Sequence, residues 1–281
     1  MSLKFTKMHG IANDYIYINC FEEKVDDPNA LSIRLSDRRR SIGGDGIILI
    51  CPSEVADFRM RMFNADGSEG KMCGNGTRCI GKYVYDKGLT DKTTVTLETL
   101  AGIKTLDLHV ENGKVASVTV DMGKAEFTPS EVPVKYDGAE MVSAPMVVGG
   151  RSYTATAVSM GNPHCVIFTN DDISKLELEK IGPDFEHNPI FPDRVNTEFV
   201  NIIDSHTLSM RVWERGSGET MACGTGACAV AASAVKTGIC KAGEKITVKL
   251  LGGDLEIVIA DDFGVSMTGP AEIAFEGTVE I

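Results

Sequence analysis

Two cysteines in this chain each stand immediately before a Gly-x-Gly sequence. The first run is Cys73-Gly74-Asn75-Gly76 and the second is Cys223-Gly224-Thr225-Gly226. Each run leads into a segment of helical sequence, so each thiol would lie beside backbone N–H groups at a helix start. Such a position lowers the pKa of a thiol and can also hold a carboxylate. Because the motif occurs twice, about half the chain apart, the repeat indicates shared chemistry.

Two thiols of this kind are suited to inverting a stereocentre. One thiolate would remove the α-proton from one face of a carbon that bears a carboxylate, and the opposite thiol would return a proton to the other face. A free thiol has a pKa of about 8.5, far below that of an unactivated α-proton. The site must therefore exclude water and stabilise the carbanion with N–H dipoles. We expect a substrate carboxylate held between two domains, with one sulfur on either side of its α-carbon.

The same cysteines could serve other purposes. Cys73 and Cys79 are close in sequence, as are Cys223 and Cys228, but on a helix their side chains are turned roughly 240° and 140° apart. Neither pair shares a helix face, so we expect no metal. The eight cysteines of a chain without an export signal are interpreted as thiols. A carboxylate-binding or redox-sensing module could use the same helix starts, and only exchange of the substrate α-proton in heavy water would distinguish it from a catalyst.

Composition restricts the partners and the compartment. The formal net charge is −12 at pH 7, and the one basic cluster, Arg38-Arg39-Arg40, is interpreted as the solvated end of a helix over residues 29–40. We therefore expect no nucleic-acid partner and no anionic membrane surface. No apolar run is long enough to cross a membrane, and the N-terminus lacks the apolar core of a signal peptide. The expected compartment is the cytoplasm.

The elements that must position the cysteines also repeat. The alternation of Phe58, Met60 and Met62 with arginines predicts a half-buried strand ahead of the first motif, and strand-like sequence precedes the second. Helices are predicted from about residue 73 to 88 and over 223–237. The second helix is almost entirely small and apolar, which is typical of a helix buried on all sides, so a curled sheet should wrap it.

These elements predict two domains of similar size. The first comprises residues 1–123, completed by 270–281, and carries Cys73. The second comprises residues 124–269 and carries Cys223.

The chain resembles the diaminopimelate epimerase family over essentially its whole length. The motifs that carry the resemblance are Lys7-Met8-His9-Gly10 with Asn13-Asp14, Phe63-Asn64-Ala65-Asp66-Gly67-Ser68, residues 72–79, Gly161-Asn162-Pro163-His164, Arg194-Val195-Asn196, and residues 213–228. The resemblance implies an α+β fold of two pseudo-symmetric domains, each a curled strand barrel around a central helix. It implies epimerisation of LL- and meso-diaminopimelate without pyridoxal or any other cofactor, in the synthesis of lysine and peptidoglycan precursors. The small-molecule substrate is then the main partner, and a homodimer is an assembly that the resemblance allows.

By the same resemblance, Cys73 and Cys223 are the acid/base pair. The carboxylate at the reacting centre would be held by Gly74, Asn75, Gly224 and Thr225. The other end of the substrate would be bound by Asn13, Asn64, Asn162, Asn196, Glu214 and Arg215, while His164 and Glu214 would tune the thiols. Some relatives have a substrate-contacting glutamine where this chain has Gly46, so water or a neighbouring side chain would have to replace that contact.

Two related enzyme classes compete with this interpretation. Proline racemase-like proteins share the plan of two cysteines, but their substrate has no distal amino-acid group that would require Arg215 and several asparagines. The isomerases related to phenazine synthesis lack the paired cysteines.

Overall fold

The computed structural model describes residues 2–281. The chain divides into two compact units. The first unit comprises residues up to Asp121 together with Thr268–Ile281, and the second comprises Met122–Met267. Among the residues described, no helix has both the length and the apolar composition needed to span a membrane.

The first unit is built mainly of strands. Its elements are β1 (Ser2–Gly10), β2 (Asn13–Asn19), α1 (Pro28–Ser36), β3 (Gly46–Cys51), β4 (Phe58–Asn64), β5 (Glu69–Gly70), α2 (Gly74–Asp86), β6 (Thr94–Thr99), β7 (Gly102–Glu111), β8 (Lys114–Lys124), which continues into the second unit, and β18 (Glu272–Glu280). β1 is antiparallel to β2 and β18, and β2 is parallel to β3. β4 is antiparallel to β3 and β5 but parallel to β6, and β6, β7 and β8 follow in antiparallel order.

The second unit repeats this order of pairings. Its elements are β9 (Ala144–Val148), β10 (Arg151–Ser159), β11 (Pro163–Phe168), a 3₁₀ helix (Ile173–Lys175), α3 (Leu178–Glu186), β12 (Asn196–Asp204), β13 (Thr207–Glu214), β14 (Gly218–Glu219), α4 (Gly224–Lys236), β15 (Lys245–Leu250), β16 (Gly253–Ile259) and β17 (Gly264–Pro270), which continues into the first unit. β9 and β10 are antiparallel, as are β10 and β11, whereas β11 is parallel to β12. β13 is antiparallel to β12 and β14 and parallel to β15, which is antiparallel to β16.

In each unit the strands surround one helix that begins directly after a cysteine. α2 contacts β1, β2 and β7, and α4 contacts β10, β11, β12, β15 and β16. Alanine, glycine and valine fill most of α4, and all of them except Val235 are buried. These small side chains allow strands to approach the helix closely. The predicted α+β fold, in which one topology of curled sheet around a helix occurs twice, is confirmed.

Helix α1 differs from the prediction. It begins at Pro28, with the Asp27 side chain accepting from the Ala30 N–H, and it ends at Ser36 instead of residue 40. The Asp37 carboxylate accepts from the backbone N–H groups of Arg39 and Arg40 at 2.8 and 3.0 Å, and these local bonds compete with the helix. The basic triplet therefore follows the helix in a turn, and Arg38 is engaged in ion pairs.

Candidate active site

Cys73 is the residue that begins helix α2. Its backbone is extended, with φ −132° and ψ 117°, and its sulfur accepts from the Gly76 N–H at 3.4 Å. The thiol donates to the side-chain oxygen of Asn13 at 3.3 Å. A Cβ at Gly76 would lie 2.5 Å from Ile48, so this glycine lets the helix start pack directly on β3.

The amide of Asn13 is held by a group of charged side chains. Its nitrogen donates to Asp45 at 2.7 Å, and Arg38 bonds to both Asp45 and Asp14. The buried Lys7 pairs with Asp14 at 2.7 Å. Burial opposes ionisation of Asp14, but the hydrogen bonds from Arg38 and Lys7 prevail and lower its pKa. Burial, followed by repulsion from Asp14, raises the pKa of Asp45.

Asn75 is positioned by an arginine that the sequence analysis missed. Arg78 is fully buried, and its guanidinium donates to the side-chain oxygen of Asn75 at 2.9 Å and to the Pro270 carbonyl at 3.2 Å. A Cβ at Gly10 would lie 2.9 Å from that guanidinium, so the glycine makes room for it. A cation here reinforces the positive potential of the helix start.

Asn64 and Gly46 lie opposite each other where β3 and β4 pair. The Asn64 side chain donates to the Ser68 hydroxyl at 3.0 Å. Gly46 has φ +155°, and a Cβ there would lie 2.0 Å from the Phe63 carbonyl oxygen. The backbone at this position thus has no space for the glutamine that some relatives carry.

Cys223 begins helix α4 in the same way, but its surroundings differ. It is buried, its side chain forms no cap bond, and its sulfur lies 3.6 Å from the Thr225 hydroxyl. Asn162 donates to that hydroxyl at 3.4 Å, and the Asn162 oxygen lies 3.1 Å from Nε2 of His164. The structure therefore brings together four of the predicted site residues of the second unit in one hydrogen-bonded row.

A glutamate that the sequence analysis did not identify ends this row. Glu198 is fully buried on β12, and its Oε1 lies 2.7 Å from Nδ1 of His164. Both ring nitrogens of His164 thus face side-chain oxygen atoms. Glu198 Oε2 has no hydrogen-bond partner. A Cβ at Gly226 would lie 2.7 Å from Glu198 Oε1 and 3.2 Å from the Cys223 sulfur, so this glycine keeps carboxylate and thiol close together.

The expectation that a helix start lowers the pKa of both thiols is wrong for Cys223. Burial raises its pKa well above the usual range, and the nearby carboxylates of Glu214 and Glu198 raise it further. Glu214 accepts from the Thr220 hydroxyl, but burial still raises its pKa. Loss of water and two negative charges outweigh the helix start because they penalise the thiolate directly.

The side chain of Asn196 is hydrogen-bonded to the backbone of Arg215. The Asn196 nitrogen donates to the Pro163 carbonyl, and its oxygen accepts from the Arg215 N–H, both at 3.0 Å. The exposed Arg215 side chain donates to the Asp193 carbonyl at 2.9 Å. Asn196 therefore positions the segment from which Arg215 extends.

Both missed residues carried a recognisable signal. Glu198 lies in the buried first half of β12, directly before Phe199 and Val200, and Arg78 follows a helix start at a position that faces the core. A charge at a core-facing position is costly unless it has a partner, so it indicates a specific role. Within residues 2–281 no cluster of three or more histidines, cysteines and carboxylates could hold a metal ion.

Comparison with known proteins places these features in a family. The sequence model of the family Diaminopimelate epimerase matches residues 5–128 and 156–274. A protein of that name from Acetivibrio thermocellus is 54% identical over 280 residues, which cover 99% of each chain. Another from Methanococcus maripaludis is 52% identical over 280 residues, or 99% of this chain and 100% of the relative.

Solved structures extend the likeness to the fold. A hydroxyproline epimerase from Agrobacterium vitis, with bound trans-4-hydroxy-L-proline, superposes with a TM-score of 0.75 at 14% identity, covering 99% of this chain and 92% of that one. A phenazine biosynthesis protein of the PhzF family from Bacillus anthracis has a TM-score of 0.71 at 16% identity, with all of both chains covered. Proteins of different enzyme classes thus share this architecture. The two sequence relatives described above, in contrast, match from end to end and are both diaminopimelate epimerases by name. The chain belongs to the diaminopimelate epimerase family.

Proposed function

We propose that this chain is a cofactor-independent epimerase that interconverts LL- and meso-diaminopimelate, in the synthesis of lysine and peptidoglycan precursors. The observation that carries the proposal is the family match through both units, combined with a cysteine at each of the two equivalent helix starts. NMR of LL-diaminopimelate in heavy water tests it. We expect loss of the α-proton signal and appearance of the meso isomer, whereas a binding module would leave the spectrum unchanged.

We assign the acid/base roles to Cys73 and Cys223. Inversion needs one proton carrier for each face of the α-carbon, and the duplicated fold supplies one thiol in each unit. Because burial, Glu214 and Glu198 raise the pKa of Cys223, this residue keeps its proton at neutral pH and acts first as the acid. Cys73, which is only half-buried, is then the base in that direction.

The remaining residues of the proposed site bind and orient the substrate. Backbone N–H groups at Gly74 and Asn75, and at Gly224 and Thr225, hold the carboxylate next to the reacting carbon, since helix starts favour anions. We assign the distal amino-acid group to Asn13, Asn64, Asn162, Asn196, Glu214 and Arg215. His164 and Glu214 tune Cys223, a role supported by the row of bonds that runs from His164 to Thr225.

Replacing Arg215 with lysine should damage catalysis more than folding. A guanidinium can bind a carboxylate through two parallel hydrogen bonds, whereas an ammonium is a point charge. We expect kcat/KM for diaminopimelate to fall by about 10- to 100-fold, with little change in Tm because the side chain is exposed. Arg151→Lys is the control, since Arg151 is an exposed partner of Asp171. Unchanged kcat/KM in Arg215→Lys would assign Arg215 a structural role.

Glu198→Gln should make Cys223 ionise at lower pH. The change keeps the shape and an oxygen for His164 but removes a negative charge that raises the pKa of Cys223. The thiolate then forms at lower pH, so the pH profile of Cys223 alkylation by iodoacetamide should shift toward neutral pH. Glu214→Gln should shift the profile further, because its charge is the larger of the two contributions.

Glu256→Gln is the matched control for both variants. Glu256 pairs with the exposed Lys245 on the same unit and should leave the alkylation profile unchanged. If Glu198→Gln and Glu256→Gln give the same profile, Glu198 does not act on Cys223.

We also propose the cytoplasm as the compartment and a homodimer as the assembly. The eight cysteines are all free thiols, which suits a reducing compartment and supports the former. Light scattering coupled to size exclusion tests the latter, for which a mass of one chain, 30.2 kDa, would be the contrary result.

A further inference from the structure

Two cysteines outside the proposed catalytic pair lie side by side in the first unit. β2 and β3 run parallel, with Ile18 opposite Leu49. The last pair of this ladder is Asn19 opposite Ile50. The next residue along the chain is in both cases a cysteine, Cys20 and Cys51, so the same register places the two cysteines opposite each other. The Cys20 N–H donates to the Ile50 carbonyl at 2.9 Å, which continues the pairing past the end of β2.

The two side chains share a face of the sheet. Both pack against the apolar cluster that contains Ile18 and Leu49, as alternate positions along a strand should. Neighbouring strands lie about 4.8 Å apart, within the Cα separation of about 4.4–6.8 Å that a disulfide spans. The thiols of Cys20 and Cys51 are close enough for each to shift the pKa of the other.

The surroundings make the two thiols unequal. Interaction with the Cys20 thiol, followed by the nearby Arg61 and Arg59, lowers the pKa of Cys51. The same interaction and burial raise the pKa of Cys20. Arg59 pairs with Cys51 across β3 and β4, and both cysteines are partly exposed. Cys51 is thus the sulfur that can react as a thiolate, and small oxidants can reach it.

We propose that Cys20 and Cys51 form a peroxide-reactive dithiol, in which Cys51 attacks the oxidant and Cys20 completes a disulfide. The Cys51 thiolate attacks one oxygen of a hydroperoxide, so an S–O bond forms as the O–O bond breaks, and the other oxygen leaves and is protonated. The Cys20 sulfur then attacks the resulting sulfenic acid, so the S–S bond forms, the S–O bond breaks and water leaves. The sulfurs together lose two electrons, and the peroxide gains them. A thiol reductant reverses the change.

Peptide mapping by mass spectrometry tests the pairing in the whole chain. After treatment with a small excess of hydrogen peroxide, a peptide joining Cys20 to Cys51 should appear without reductant and disappear with dithiothreitol. Cys165 and Cys240 are internal controls in the same sample, because burial raises the pKa of both thiols; they should stay unmodified. No cross-link between Cys20 and Cys51, or a link from Cys51 to a different cysteine, would overturn the proposal.

Two serine variants test which sulfur attacks. In Cys20→Ser the sulfenic acid on Cys51 has no resolving partner, so dimedone should label Cys51. In Cys51→Ser dimedone should label Cys20 less by about tenfold or more. Equal labelling in the two variants would contradict the assigned order. The test on the unmodified chain stands by itself if either variant fails to fold.

Discussion

Replacing either Cys73 or Cys223 with alanine should lower kcat for epimerisation by about 10²- to 10⁴-fold. Each substitution removes the proton carrier for one face of the α-carbon, and no other side chain is assigned that role. The loss in the free energy of unfolding should be only about 1 kcal/mol, since one sulfur is removed at a helix start. Turnover followed by NMR, together with thermal unfolding followed by circular dichroism, measures both effects.

Isotope exchange makes this prediction more specific. Each variant keeps one thiol. That thiol can still exchange an α-proton with solvent, but only in the stereoisomer whose α-proton points toward it. We therefore expect Cys73→Ala and Cys223→Ala to exchange opposite isomers in heavy water. Because the pKa of Cys223 is raised, exchange by Cys73→Ala should be slow at neutral pH and should increase as the pH rises and the thiolate forms.

Cys240→Ala is the control for these two variants. Cys240 is buried in the second unit but lies outside the proposed site, so its replacement should leave turnover unchanged. Near-normal turnover in Cys73→Ala or Cys223→Ala would exclude the mechanism with two bases. Exchange of the same isomer by both variants would place both thiols on one face.

The second large effect concerns stability. Gly46→Ala should lower the free energy of unfolding by about 3 kcal/mol or more. The backbone there has φ +155°, and the new Cβ would lie 2.0 Å from the Phe63 carbonyl oxygen, so β3 and β4 must separate locally. Urea unfolding followed by circular dichroism measures the loss. For the same reason, Gly46→Gln should also destabilise the fold.

Gly88→Ala separates backbone conformation from steric clash. Gly88 also has positive φ, +73°, but no atom lies within 4 Å of its added Cβ. We expect Gly88→Ala to cost only about 1–2 kcal/mol, the penalty of the left-handed backbone. If both substitutions lower the free energy of unfolding equally, β3 and β4 can move apart at little cost, and Gly46 is not required for their packing.

Several features were predictable from the sequence because local residues determine them. The helix predicted over residues 223–237 corresponds to α4 with its caps, Cys223 and Thr237. It was predictable because its start and its small apolar side chains all lie within one short segment of sequence. The helix predicted from about residue 73 to 88 is α2, and Gly88 ends it with positive φ. The alternation along β4 was likewise correct, because strand period alone sets which side chains face the core.

Burial and charge around the thiols were decided only by the tertiary structure. Glu198 lies 34 residues beyond His164 and meets it because β11 and β12 pair in parallel. Arg78 reaches the Pro270 carbonyl 192 residues away. A helix start is a local feature that would lower the pKa of a thiol. At Cys223 the direction of the pKa shift is instead set by burial and by the carboxylates of two strands, β12 and β13. The sequence by itself determined where the thiols stand and the repeated fold that carries them, whereas their different acidities follow from long-range contacts that no local pattern encodes.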